Sequence, residues 1–225
     1  MSVVYSKNDE EIIYNLIRKY THKKPISKIM ELAHFLNYQL KGNQNFTKAK
    51  ILRIIKDLIK KRLIIIGSKL VKDNILANRL RRQIYEYILN NPGSTIYNLR
   101  KAFHIGANQV IWHLNFLIKF EFVKTIRIEK HKVIFSFESE SKYYKIFYYI
   151  ANEKVKSILN AFKENKHPLS PLDLSKLLCM HYITVKKYLE ILIDTKIVEL
   201  TNEKRKYVIN YDVYNEIIFR RNKIK

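Results

Sequence analysis

Apolar residues recur at helical spacing along most of the chain, and that spacing gives way to alternation in a few short stretches. Between 78 and 90, Leu80, Ile84, Tyr87 and Ile88 share one face, which predicts a helix stopped by Asn91-Pro92-Gly93. Ser94 or Thr95 is placed to cap a short second helix that runs through Phe103. His104-Ile105-Gly106 forms a tight turn, and a third helix runs from Ala107 to Phe120 with Val110, Leu114 and Leu117 inward. Phe122 to Ile128 and Val133 to Phe137 then alternate as a hairpin does, with Glu129-Lys130-His131-Lys132 at its tip. The order is helix, helix, turn, helix, hairpin.

The same order returns downstream. Residues 153–165 form a first helix, 170–178 a second with Pro171 in the favoured first turn, and 183–194 a third after the turn Cys179-Met180-His181-Tyr182. Residues 197–200 and 207–209 make its hairpin. Upstream, 9–20, 27–36 and 47–62 read as three helices, with a looser stretch at 37–46 and a second strand short or absent. Each third helix ends alike, in Leu58-Ile59-Lys60-Lys61-Arg62-Leu63-Ile64, Leu117-Ile118-Lys119-Phe120-Glu121-Phe122-Val123 and Leu192-Ile193-Asp194-Thr195-Lys196-Ile197-Val198. These spacings match very small domains rather than a solenoid. The expected segments are 1–75, a divergent unit; 76–140, the most regular; and 141–225, an aromatic linker helix, a third unit and a basic C-terminal helix.

The middle segment resembles the winged helix-turn-helix family in its archaeal and bacterial transcription-regulator form. The likeness rests on Asn90-Asn91-Pro92-Gly93-Ser94-Thr95 followed by Ile96-Tyr97-Asn98-Leu99, and on Val110-Ile111-Trp112-His113-Leu114 in the third helix. It extends to the stretch from Gly67 to Tyr85, fairly to the third segment, and in outline to the first. It implies a mostly α fold with small β-hairpin wings, in three tandem winged helix-turn-helix units. It also implies a third helix in the DNA major groove and a wing on phosphate. Carried onto this sequence, the groove-facing positions of the middle segment include Asn108, Gln109, Ile111, Trp112 and Asn115. Asn and Gln read adenine through paired hydrogen bonds. Phosphate contacts fall to Lys48, Lys50, Arg53 and Lys56 in the first segment, and to Lys130, His131 and Lys132 in the middle wing. In the third segment they fall to Lys186 and Lys187 on the helix and to Lys204, Arg205 and Lys206 in the wing.

Charge supports a polyanionic partner. The 225 residues hold 43 Lys+Arg against 20 Asp+Glu, a net charge of +23. The excess is +10, +5 and +8 over 1–75, 76–140 and 141–225, so it is no detachable tail. At 47 % hydrophobic residues the chain folds rather than staying disordered. The single cysteine, Cys179, excludes an internal disulfide or a multi-thiolate zinc site, and is expected to be a small buried hydrophobe. The seven histidines show no metal-binding spacing, and the four glycines form no phosphate loop, so no enzyme, metal or cofactor is expected. No apolar run spans a membrane and Met1 to Lys7 lacks a signal core, which predicts no membrane insertion and a cytoplasmic, nucleoid-associated protein.

The expected partner is double-stranded DNA, with a homodimer through the aromatic helix at 143–150 or the C-terminal helix as a further expectation. The aromatic run must be buried against something, and packing between the neighbouring segments is the other reading. The apolar Ile111, Trp112 and Phe116 keep alternatives open: a tandem winged-helix scaffold of the membrane-remodelling or polymerase-associated kind, or a chromatin-like non-specific DNA binder.

Overall fold

The computed structural model of the chain describes residues 5–165, 167–202 and 205–223. The elements run α1 (Lys7–Lys23), α2 (Ile29–Gln39), α3 (Lys48–Lys60), α4 (Lys72–Ile75), α5 (Arg79–Asn90), β1 (Ser94–Thr95) and α6 (Ile96–Phe103). They continue with α7 (Ala107–Lys119), β2 (Val123–Ile128), β3 (His131–Ser136), a 3-10 turn (Ser141–Tyr143), α8 (Tyr144–Ile150) and α9 (Glu153–Glu164). The chain then forms α10 (Pro171–Leu177), α11 (Tyr182–Asp194), β4 (Val198–Leu200), β5 (Tyr207–Ile209) and α12 (Tyr211–Lys223). The fold is mostly helical, with small antiparallel sheets ordered β1-β3-β2 and β4-β5.

The chain divides into two compact units. One comprises 1–85 with 108–122, the other 86–107 with 123–225. In the first, α1 to α3 close on a core of Ile13, Ile17, Leu32, Leu36, Ile54, Ile55 and Leu58, each fully buried. α1 starts at a capping box, in which Ser6 and Asp9 each accept from the other's backbone N–H. Thr47 caps α3 by accepting from the Lys50 N–H. The segment 108–122 is tied to this unit by Tyr85 against Phe122, with ring centres 5.3 Å apart, and by Arg62 Nε, 3.5 Å from Glu121 Oε1.

In the second unit, β3 carries Val133 and Phe135 into a core shared with Phe147 and Ile150 of α8, Ile158 of α9, Leu174 of α10 and Leu189 of α11. The apolar face of the aromatic helix is thus spent inside its own unit: Ile146, Phe147, Tyr149 and Ile150 are all buried. Gly93 has φ +88°, and a Cβ there would lie 2.8 Å from the Phe147 carbonyl carbon and the Tyr148 nitrogen. Only glycine allows that approach.

The recurring helix ends have one physical cause. Leu63, Phe122 and Ile197 donate their N–H to the carbonyls of Leu58, Leu117 and Leu192 at 3.0, 2.9 and 3.0 Å. Arg62, Glu121 and Lys196 just before them take left-handed φ values of 55°, 58° and 57°. This is the six-to-one hydrogen bond of a Schellman cap. The leucine supplies both the accepting carbonyl and a buried side chain, so its recurrence in sequence marks a recurring local geometry. Left-handed residues also recur between the second and third helices of each segment, at Gly42, His104 and Cys179. A third recurrence precedes each second helix. Gly67 donates to the Ile26 carbonyl, Ser94 and Thr95 pair with Ile134 and Val133, and Leu169 bridges Tyr207.

Several expectations need correction. Cys179 is exposed, because its turn holds it in the left-handed region at the surface. The middle hairpin is tighter than the alternation suggested: β3 begins at His131, leaving Glu129-Lys130 as the turn, with Glu129 at φ 51°. α4 and β1 were not anticipated, since four and two residues carry too little periodicity to be read.

Candidate nucleic-acid interface

α7 turns Val110, His113, Leu114 and Leu117 inward, leaving Asn108, Gln109, Ile111, Trp112 and Asn115 exposed. Trp112 remains 52 % exposed yet is held from three directions. Phe116 meets it edge-on with centres 5.0 Å apart, the His113 ring lies 4.8 Å away, and the Arg81 guanidinium carbon lies 5.4 Å from its ring centre. The same guanidinium sits 4.3 Å from the Phe116 ring.

Arg81 is buried, and among the described residues no carboxylate forms an ion pair with it. Its Nη1 donates to the Ile75 carbonyl at 2.9 Å, while its Nε has no partner. Burial pulls its pKa below the usual arginine value, and the aromatic faces take over part of the missing counter-charge. Burial, and then the Arg81 charge, also push the His113 pKa down, which favours the neutral form of that imidazole. No sequence signal identified Arg81, because a buried arginine and a solvated one look alike in a helical pattern.

Elsewhere in the first unit, Lys48 and Arg53 are exposed on α3. Lys50 is not free: its Nζ lies 3.0 Å from Asp9 Oδ2, with both side chains mostly covered. Asp9 in turn accepts from the Ser6 N–H and hydroxyl, and the Ser6 backbone bond, followed by Lys50, lowers its pKa. Lys50 thus braces α1 against α3.

In the second unit, Lys130 and Lys132 are exposed on the middle hairpin, and Lys132 stands directly across from the exposed Arg127. Like charges opposite one another on a sheet are destabilising, by about 0.2–1 kcal/mol. Arg127, Lys130 and Lys132 line one shallow basic depression. Arg127 escaped sequence reasoning because it lies inside the strand and only the register faces it to Lys132. His131 points elsewhere: its Nδ1 is 2.5 Å from the Tyr148 hydroxyl. The Tyr149 hydroxyl donates to Glu129 Oε1 at 2.6 Å, which, ahead of the nearby cations, lowers the Glu129 pKa. Lys187 reaches within 3.9 Å of the same carboxylate.

α11 presents Lys186 and Lys187 to solvent. Lys186 and Arg205 line a single groove with Tyr182 and Leu172, which joins a helix-three cation to one from the following hairpin. Lys206 is half-buried and engaged. Lys204 lies outside the described residues. The structure therefore gathers Arg127 with Lys130 and Lys132, and Lys186 with Arg205, while Lys50, His131 and Lys206 serve internal contacts. Among the described residues there is no cluster of three His, Cys, Asp or Glu able to hold a metal ion, and no helix is long and apolar enough to cross a membrane.

No protein-family model matches the chain. The chain is similar to an uncharacterised HTH-type transcriptional regulator of Methanocaldococcus jannaschii, 27 % identical over 215 residues, or 92 % of this chain. The match covers 54 % of that regulator, so the chain spans about half the length of the curated relative. This distant likeness points to helix-turn-helix regulators.

Proposed function

We propose that the chain is a non-enzymatic double-stranded DNA-binding protein, a transcriptional regulator built of three tandem winged helix-turn-helix units over 1–75, 76–140 and 141–225. The observation that carries this reading is the threefold recurrence of one local geometry. A strand-like contact precedes helix two, a left-handed residue joins it to helix three, and a Schellman cap opens the wing. The regulator name of the relative supports the same class. Lys48, Arg53, Arg127, Lys130, Lys132, Lys186 and Arg205 supply phosphate contacts, while Asn108, Gln109 and Asn115 supply base reading. Trp112 contributes apolar contact beside them.

Fluorescence anisotropy with a labelled duplex, titrated across salt, tests this. Log K falls against log salt with a slope of about −0.9 per phosphate neutralised, so five to seven contacts give about −4.5 to −6.3. An absence of binding to any duplex at low salt removes the proposal. Selection from a random duplex pool then separates a specific regulator from a chromatin-like binder.

One observation favours a protein partner for the third segment. Leu172 and Leu177 on α10 and Ile183 on α11 are 52 %, 54 % and 70 % exposed, an apolar character unlike a phosphate-facing surface. Under this second reading the third segment docks a protein and the first two hold DNA. Loss of duplex affinity in the Lys186→Ala/Arg205→Ala variant rejects it.

A further inference from the structure

The first compact unit holds a cavity of about 590 Å³ between α1 and α2, with no role in the DNA-binding reading and independent of it. Its volume lies within the range of small-molecule sites. Leu16, Tyr20 and Phe35 supply the apolar walls, with the Tyr20 and Phe35 rings 5.0 Å apart. Leu16, Lys19, Tyr20 and Lys23 share one face of α1 at offsets of 0, 3, 4 and 7, so an apolar wall and two cations meet at the same opening.

The Tyr20 side chain is 4 % exposed, and its hydroxyl is buried with no hydrogen-bond partner. Lys24 and Glu31 beside it pair with each other. Burial, and then the Glu31 charge, raise the Tyr20 pKa against the opposing pull of Lys24. Lys19 and Lys23 are exposed and make no ion pair among the described residues, while Glu31, the acid in the lining, is already taken by Lys24.

The geometry points to a binding site for a small amphiphilic organic acid, with its apolar body between Leu16 and Phe35 against the Tyr20 ring and its carboxylate held by Lys19 and Lys23. A neutral apolar molecule would leave both lysines unanswered. A cation would meet the lysine rim. An inorganic anion would leave the apolar walls wet. The acid's carboxylate also competes with Glu31 for Lys24, which links occupancy to the α1–α2 contact.

Isothermal titration calorimetry of the full chain with 2-naphthoate, and with its neutral counterpart 2-naphthamide, tests the site. The expected result is one saturable site for naphthoate and at least tenfold weaker binding of the amide. The Lys19→Glu/Lys23→Glu variant changes only surface positions, so it folds as the parent does and binds naphthoate at least tenfold more weakly. No saturable naphthoate binding overturns the inference, and so does equal binding of acid and amide or unchanged affinity in the charge-reversed variant. Duplex affinity is measured separately, so failure of this site and failure of the DNA reading are told apart.

Discussion

Replacing Gly93 with alanine puts one methyl group where the second compact unit has no room. The added Cβ would lie 2.8 Å from the Phe147 carbonyl carbon, 2.8 Å from the Tyr148 nitrogen and 2.9 Å from the Phe147 oxygen. All three are backbone atoms of α8, so no side chain can swing aside. The residue also sits at φ +88°, where an alanine pays about 1–2 kcal/mol for the left-handed conformation. Overpacking adds about 1–3 kcal/mol, and the stiffer unfolded chain returns about 0.4–1 kcal/mol. The net cost is about 1–4.6 kcal/mol, or a fall in melting temperature of about 2–18 °C for a chain of this size. Gly106→Ala is the control: nothing lies within 4 Å of its Cβ position and its φ is not left-handed, so stability should change by less than about 0.5 kcal/mol. Scanning calorimetry of both variants reads the difference. If Gly93→Ala melts within about 2 °C of the parent, the close approach of β1 and α8 is not what the glycine serves.

His113 is the buried histidine among exposed ones, and its folded-state pKa lies below the unfolded value near 6.5. Its contribution is therefore complete above about pH 6.5 and drains away as the pH falls through the depressed folded value. His113→Gln should flatten that part of a melting-temperature profile, and an unchanged profile would count against a neutral buried imidazole. Lys196→Gly relieves a left-handed lysine at the third Schellman cap and should raise stability by about 0.5–1 kcal/mol, read from the urea midpoint. No gain would mean that the strain is absorbed elsewhere. Arg127→Ala and Lys132→Ala should move two quantities in opposite directions: stability rises by about 0.2–1 kcal/mol as cross-strand repulsion goes, while the salt slope of duplex binding shrinks by about 0.9 per residue. A fall in both would place those cations in structure rather than in binding.

Much of the fold was legible because helices of 11 to 17 residues carry several turns of apolar repeat, as α1, α2, α3 and α7 do. One cap was legible too: of Ser94 and Thr95, it is Thr95 that accepts from the Asn98 N–H three positions on, while Ser170, read as the first residue of its helix, caps α10 in the same way. What escaped was non-local. Lys50 and Asp9 are far apart in sequence, and nothing in either helix's own pattern says they meet. The Arg127–Lys132 pair needs the hairpin register, which a two-residue turn fixes and a four-residue turn would have shifted. The candidate site divides the same way. The exposed face of α7 follows from periodicity, but the cation stacked beneath it does not.

That stacked cation has a consequence for time as well as energy. Trp112, the chain's single tryptophan, is half-exposed but wedged against Phe116 and Arg81. Its ring has little freedom left to surrender, and immobilising a free side chain at an interface ordinarily costs about 0.5–1.5 kcal/mol. A partner arriving at α7 therefore meets an indole already set in place. The intrinsic fluorescence of the chain should show slow, restrained depolarisation before any partner is added, so that contact is read as a change of colour rather than a loss of motion.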